Sequence, residues 1–190
     1  MADKQASVYV VDVGHSMQEM RNGRTETDLD FAMKWVWDKI TSTVMTERKT
    51  DTIGVVGFRT DGRDATEMRH CNGQLTFNKF LGTDNEMESD PNYQNISVLN
   101  PIQQFLMPQL HTLREDIKPS DTDDGDGISA LVIAIQMIIK YCKRLKYTRN
   151  IYLVTNGTGS FDPDGTDEIV AQIKSEGINL TVLYAEPSTC

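Results

Sequence analysis

Three short segments carry the side chains that could do chemistry: Asp12-Val-Gly-His-Ser16, Asp121 to Gly127, and Thr155-Asn-Gly-Thr158. Asp12 closes an apolar run, where a carboxylate can accept a phosphoryl group. That chemistry needs a second Asp at the same strand end and a well-placed Lys, and the segment supplies neither. No G-x-G-x-x-G or G-x-x-x-x-G-K-[ST] loop is present to cradle phosphates. Ser16 does not sit in G-x-S-x-G, so a nucleophilic serine of the hydrolase type is disfavoured. His15, His70 and His111 are scattered, as are Cys71, Cys142 and Cys190, and nothing resembles C-x-x-C. A zinc site or disulfide framework is therefore not expected, and a reducing compartment is the default. These residues point away from an enzyme.

The elements that must hold these segments are legible as apolar runs. Ser7 to Val13, Ile53 to Phe58, Ile96 to Leu99, Asn150 to Thr155 and Asn179 to Ala185 read as strands. Helices are expected over Leu29 to Arg48, with Asp28 as N-cap, and over Ile102 to Ile117, with Pro108 breaking or restarting it. Two more are expected over Ile128 to Tyr147 and from about Asp167 to Gly177. The first helix is apolar on most faces and should be sandwiched, with Trp35 and Trp37 in the core. Arg59 to Asp64 reads as a turn, and Gly73 to Tyr93 as irregular. Strands alternating with helices imply an α/β fold: a doubly wound, mostly parallel sheet with helices on both faces. Residues 1–190 are expected to form a single domain of a longer chain. The three chemistry-bearing segments should then meet beyond the carboxyl ends of the strands, where ligands bind in such sheets.

Charge narrows the partners. The 190 residues hold 28 acidic and 19 basic side chains, net −9. Met1 to Thr83 is net −1, Asp84 to Asp126 net −8, and Gly127 to Cys190 neutral. A chain this acidic is a poor non-specific binder of nucleic acid or anionic membrane. Lys140, Lys143, Arg144, Lys146 and Arg149 form one local basic run, suited to a helix C-terminus. No signal-like apolar start precedes the first strand, and no run approaches the ~18 apolar residues of a membrane span.

Strand–D-x-S-x-S, a Thr before a later helix, and strand–T-D-G make up the metal-ion-dependent adhesion site of von Willebrand factor A domains, and this chain resembles that series. In that family the resemblance implies a hard cation, usually Mg²⁺, held through oxygen ligands. Asp12 and Ser16 keep the pattern. Gly14 replaces the first Ser, Asp126 stands about where the Thr would be, and Asn156 replaces the final Asp. The favoured reading is a degenerate site in which Asp12 caps backbone amides and Ser16 caps a turn. The alternative is a Mg²⁺-dependent adhesion domain with Asp12, Ser16 and Asp126 as weak ligands. No other cofactor is expected.

A more specific likeness follows. Val10-Val-Asp-Val-Gly-His-Ser-Met17, Val56-Gly-Phe-Arg-Thr-Asp-Gly-Arg-Asp64, Tyr93-Gln-Asn-Ile-Ser-Val98, Leu113-Arg-Glu-Asp-Ile-Lys-Pro119 and Asp126-Gly-Ile-Ser-Ala-Leu131 occur in this order. Together they resemble the N-terminal von Willebrand A domain of the large subunit of the eukaryotic Ku heterodimer. The resemblance implies a nuclear complex that binds DNA double-strand ends in non-homologous end joining and helps maintain telomeres. It implies the small Ku subunit as partner, and DNA contact through ring-forming β-barrel domains that this chain lacks. It implies a peripheral, non-catalytic domain recruiting repair and telomere factors that carry short basic-hydrophobic peptides. Members are sometimes labelled helicase subunits, though no P-loop is present. Asp123, Asp124 and Asp126 are the candidate partner-facing acids, and Phe161 is the candidate exposed contact.

Overall fold

The computed structural model describes residues 4–21, 23–61, 93–159, 161, 163 and 165–185. Cys71, Cys190, His70, the stretch from Gly73 to Asn92 and the acids Asp84, Glu86, Glu88 and Asp90 lie outside the described residues. The elements are β1 (Gln5–Asp12), a 3-10 turn (His15–Gln18), α1 (Asp28–Met45), β2 (Asp51–Phe58) and β3 (Ile96–Gln104). They continue with α2 (Met107–Asp116), α3 (Gly127–Cys142), β4 (Thr148–Thr155), α4 (Thr166–Ser175) and β5 (Ile178–Tyr184). The strands form one sheet in the order β3-β2-β1-β4-β5. All neighbours run parallel except β3, which is antiparallel to β2.

Helices cover both faces, as the alternating pattern predicts. Burying apolar strands from both sides explains their continuous β-branched runs. On one face α3 packs Leu131, Ile135 and Ile138 over Val8 and Val10 of β1, with Ile169 and Ile173 of α4 at the margin. On the other, Leu29, Met33, Val36 and Ile40 of α1 and Leu110 and Leu113 of α2 cover Tyr9, Val11 and Val55. Cys142 is a buried free thiol at the end of α3.

Four expectations change. The N-cap of α1 is Thr27, whose hydroxyl accepts the Asp30 amide, while Asp28 is the first helical residue. α1 buries one stripe rather than lying between layers; Phe31 and Met45 are exposed, and Trp35 and Trp37 are half-buried at the margin of the core. Residues Ile102 to Gln104 are strand, not helix. Pro101 lacks an amide donor but lies on an edge strand, beside a register shift in the β2–β3 ladder, where the Asn100 side-chain amide donates to Ile53 O at 3.1 Å. Pro108 lies in the first turn of α2, the restart expected at this proline. Finally, α3 stops at Cys142, because Lys143 turns into positive φ at 46°. Only Lys140 of the basic run therefore lies in its last turn, and Arg149 is in β4, paired with Glu176 at 2.6 Å.

Tyr9 and Tyr152 stack across β1 and β4 with ring centroids 5.0 Å apart, against Trp35. Burial raises both phenol pKa values above the ordinary tyrosine range. The folded state thus holds protons that the unfolded chain releases near pH ~10, so stability falls as pH rises above that point. Urea denaturation at pH 8 and pH 11 should show this loss, and Tyr9→Phe should reduce the slope.

Candidate functional site

The carboxyl ends of the parallel strands bring the three segments together. Asp12, the last residue of β1, is fully buried. Its Oδ1 accepts the Gly14 amide at 3.0 Å, and its Oδ2 accepts the Thr155 hydroxyl at 2.7 Å. The dominant partner of Oδ2 is a residue that sequence reasoning places in a turn. Arg59, directly after β2, points its Nη1 at Asp12 Oδ2 at 2.7 Å, and both side chains are fully buried. Its Nε donates to Gly125 O at 3.2 Å. The guanidinium lies over the rings of Phe58 and Phe161, 5.2 and 5.5 Å from their centroids.

Backbone and glycines hold this arginine in place. Arg59 adopts positive φ at 60°, and the Ser120 hydroxyl donates to its carbonyl. The space around the side chain exists because two neighbours lack a Cβ. A Cβ at Gly159 would fall 1.8 Å from the guanidinium, and one at Gly14 would fall 2.8 Å from Arg59 Cδ.

Around this pair the loops are zipped together. The Ser120 amide donates to Val13 O at 2.7 Å, and the His15 amide to Thr122 O at 2.9 Å. The Ser16 amide donates to Asp123 Oδ1 at 2.9 Å, whereas the Ser16 hydroxyl is buried without a hydrogen-bond partner. Ser16 therefore caps no turn through its side chain. Asp126 is the N-cap of α3, accepting the Ser129 amide at 2.7 Å. Asp124 is exposed, as are Asp61 and Asp121, with the Asp121 amide donating to Asp61 Oδ1 at 2.7 Å. Phe161 is half-buried, one face over Arg59 and its edge against Gly127.

Asn156 has an equally specific environment. Its amide nitrogen donates to Ser16 O at 3.0 Å and to Asp28 Oδ2 at 3.3 Å. Asp28 is fully buried and paired with Arg21 and Arg24 at 3.2 and 2.6 Å. An amide at position 156 satisfies that carboxylate; a carboxylate there would oppose it.

Electrostatics favour a closed site. Burial pushes the Asp12 carboxyl up, the Arg59 charge and the Thr155 and Gly14 hydrogen bonds oppose this, and nearby Asp123 adds to it. The residues do not fit the divalent cation that the adhesion pattern implies. A cationic guanidinium already occupies the Asp12 oxygen, Gly14 offers no hydroxyl, and Asp126 is committed to α3. The Asp12 and Arg59 side chains are both fully buried. The exposed acids of these loops are Asp61, Asp121, Asp123 and Asp124, and Phe161 is partly exposed.

The family model described as "Ku70/Ku80 N-terminal alpha/beta domain" matches residues 6–186. A protein of Aspergillus sojae named ATP-dependent DNA helicase II subunit 2 is 50% identical over 183 residues, covering 96% of this chain and 22% of the relative. Proteins of the same name from Neurospora crassa and Schizosaccharomyces pombe are 43% and 30% identical, again over 96% of this chain and 23% of theirs. The chain thus spans under a quarter of the length of these relatives. Among solved structures, the SpRpn10 VWA domain aligns with a TM-score of 0.60 at 13% identity, covering 95% of this chain and 75% of that one. An aerotolerance-related membrane protein from Bacteroides fragilis aligns at 0.51 and 15% identity, covering 94% and 66%. At these identities the likeness shows the fold alone, which in the first of them is that of a VWA domain.

Proposed function

The chain belongs to the Ku70/Ku80 N-terminal alpha/beta domain family, and from that premise we propose that it is a non-catalytic interaction module of the large Ku subunit. In this reading the full-length protein pairs with the small Ku subunit, binds DNA double-strand ends in the nucleus through other domains, and serves end joining and telomere maintenance. This domain recruits repair and telomere factors through their short basic-hydrophobic peptides. The helicase name of the relatives finds no counterpart in a phosphate-cradling motif of this sequence. No helix among the described residues is long and apolar enough to cross a membrane.

The observation that carries the recruiting role is the outward composition of the strand-end face. The strand-end loops carry exposed Asp61, Asp121, Asp123 and Asp124 and a partly exposed aromatic ring, Phe161. A basic-hydrophobic peptide would find acids for its charges and a ring for its apolar side chain. Asp123 and Asp126 belong to the same loop, but each also carries a structural hydrogen bond, so their substitution would confound binding with folding. The test is fluorescence polarisation with labelled basic-hydrophobic peptides. Asp121→Lys with Asp124→Lys should weaken binding at least about tenfold, a loss of roughly 1.4 kcal/mol. Equal binding by the charge-reversed and native domains would sink the proposal. In the same assay the isolated native domain should bind duplex DNA only weakly at physiological salt, given its net charge of −9.

A further inference from the structure

We propose that the Arg59 guanidinium is the resident cation of the strand-end site, filling the place a divalent ion takes in the adhesion pattern, so that recognition at this face is independent of metal.

Three observations support this. The first is position. Arg59 Nη1 lies 2.7 Å from Asp12 Oδ2, the carboxylate that opens the adhesion-type motif. Its Cδ lies 2.8 Å from where a Cβ at position 14 would stand. A serine at 14, the residue the motif asks for, would thus compete with Arg59 for one volume. The second is connectivity. A bound ion would join the β1, 120s and β4 loops through shared ligands. Here Arg59 joins them instead, through Asp12, through Gly125 O at 3.2 Å, and by close approach of its guanidinium to Gly159. The third is a leftover ligand. The Ser16 hydroxyl is buried with no hydrogen-bond partner, although position 16 matches a motif oxygen. A guanidinium donates only within its own plane, so it does not reach every oxygen that a spherical ion would.

A divalent ion exchanges with solvent and can take a partner carboxylate into an open coordination position. A tethered guanidinium does neither. Chelators should therefore leave partner binding unchanged.

Manganese titration tests this by two readouts. In the native domain, Mn²⁺ at millimolar concentration should leave the Gly14 and Ser16 amide NMR signals no broader than those of the β2 core. Selective broadening at these amides, lost in Asp12→Asn, would overturn the proposal. The second readout is the double variant Arg59→Gly with Gly14→Ser, which removes the guanidinium and restores the motif hydroxyl. Calorimetry should show Mn²⁺ binding there that is absent in the native domain and lost on adding Asp12→Asn. If this variant folds only with Mn²⁺ present, as measured by circular dichroism, that supports the proposal equally. A folded double variant that takes up no Mn²⁺ would overturn it. Should the double variant stay unfolded under every condition, the presence or absence of broadening in the native domain decides between the two outcomes.

Discussion

Arg59→Met lowers the stability of the domain by about 3–5 kcal/mol at pH 7, the cost of leaving a buried carboxylate without its cation. Methionine keeps most of the volume and the contact with Phe58 and Phe161, so the loss reports charge rather than a cavity. Urea denaturation of the native and variant domains measures it. The double variant Asp12→Asn with Arg59→Met should recover most of the loss, because neither partner is then charged. The pH dependence follows from the sign of the remaining shift. Burial already pushes the Asp12 carboxyl up, and losing Arg59 removes its main opposing charge. A carboxyl whose folded pKa lies above its unfolded value favours folding below the unfolded pKa. That support is lost as pH rises through the folded pKa. The variant's deficit should therefore be larger at pH 7 and shrink toward pH ~4. A deficit that does not change with pH would mean packing, not charge, is what Arg59 contributes.

Asn156→Asp restores the motif aspartate and should cost about 2–3 kcal/mol. The new carboxylate would face Ser16 O and Asp28 Oδ2, which now accept from the Asn156 amide at 3.0 and 3.3 Å. Two hydrogen bonds become repulsions, inside a region where Asn156 and Asp28 are both fully buried. Arg21 and Arg24 soften the effect, since both already lie against Asp28. Like charge raises the pKa of the new group, so by the same linkage its penalty should also fade as the solution is acidified. Chemical denaturation at pH 7 and pH 4.5 tests this, and a variant as stable as the native domain at pH 7 would refute it.

The fold is largely readable because its strands are short apolar runs and its longest helices are strongly periodic. Val8 to Val11 and Ile151 to Val154 could hardly be anything but buried strands in a sheet covered twice. Expectation and structure part where local signals compete. Pro101 followed by apolar residues imitates a helix start, and only the pairing of β3 with β2 shows that it sits on an edge. The long basic run suggests one continuous helix terminus, whereas a positive-φ residue at Lys143 divides it. At the site, Asp12 and the converging loops are visible from the order of strands. Arg59 is not, because its meaning depends on a carboxylate 47 positions earlier in the chain. The available hint is compositional: a glycine where the motif wants serine, and an arginine directly after an apolar strand. Neither states its purpose without the other.

The tight seating of that arginine also limits how such a sequence can change over time. With Arg59 in place, a side chain at position 14 or 159 collides with it. With serine at 14, the Arg59 stem and the Asp123 carboxylate, each 2.8 Å from the new Cβ, would have to shift. A lineage moving between the two arrangements cannot accept these substitutions in any order. The glycines must come before the arginine, and the arginine must go before the serine returns. The intermediate would be a chain with neither the position-14 hydroxyl nor the guanidinium, its buried Asp12 held by the Thr155 hydroxyl and the Gly14 amide without a cation. Reversion is thereby made hard, and the site behaves as a ratchet in sequence space.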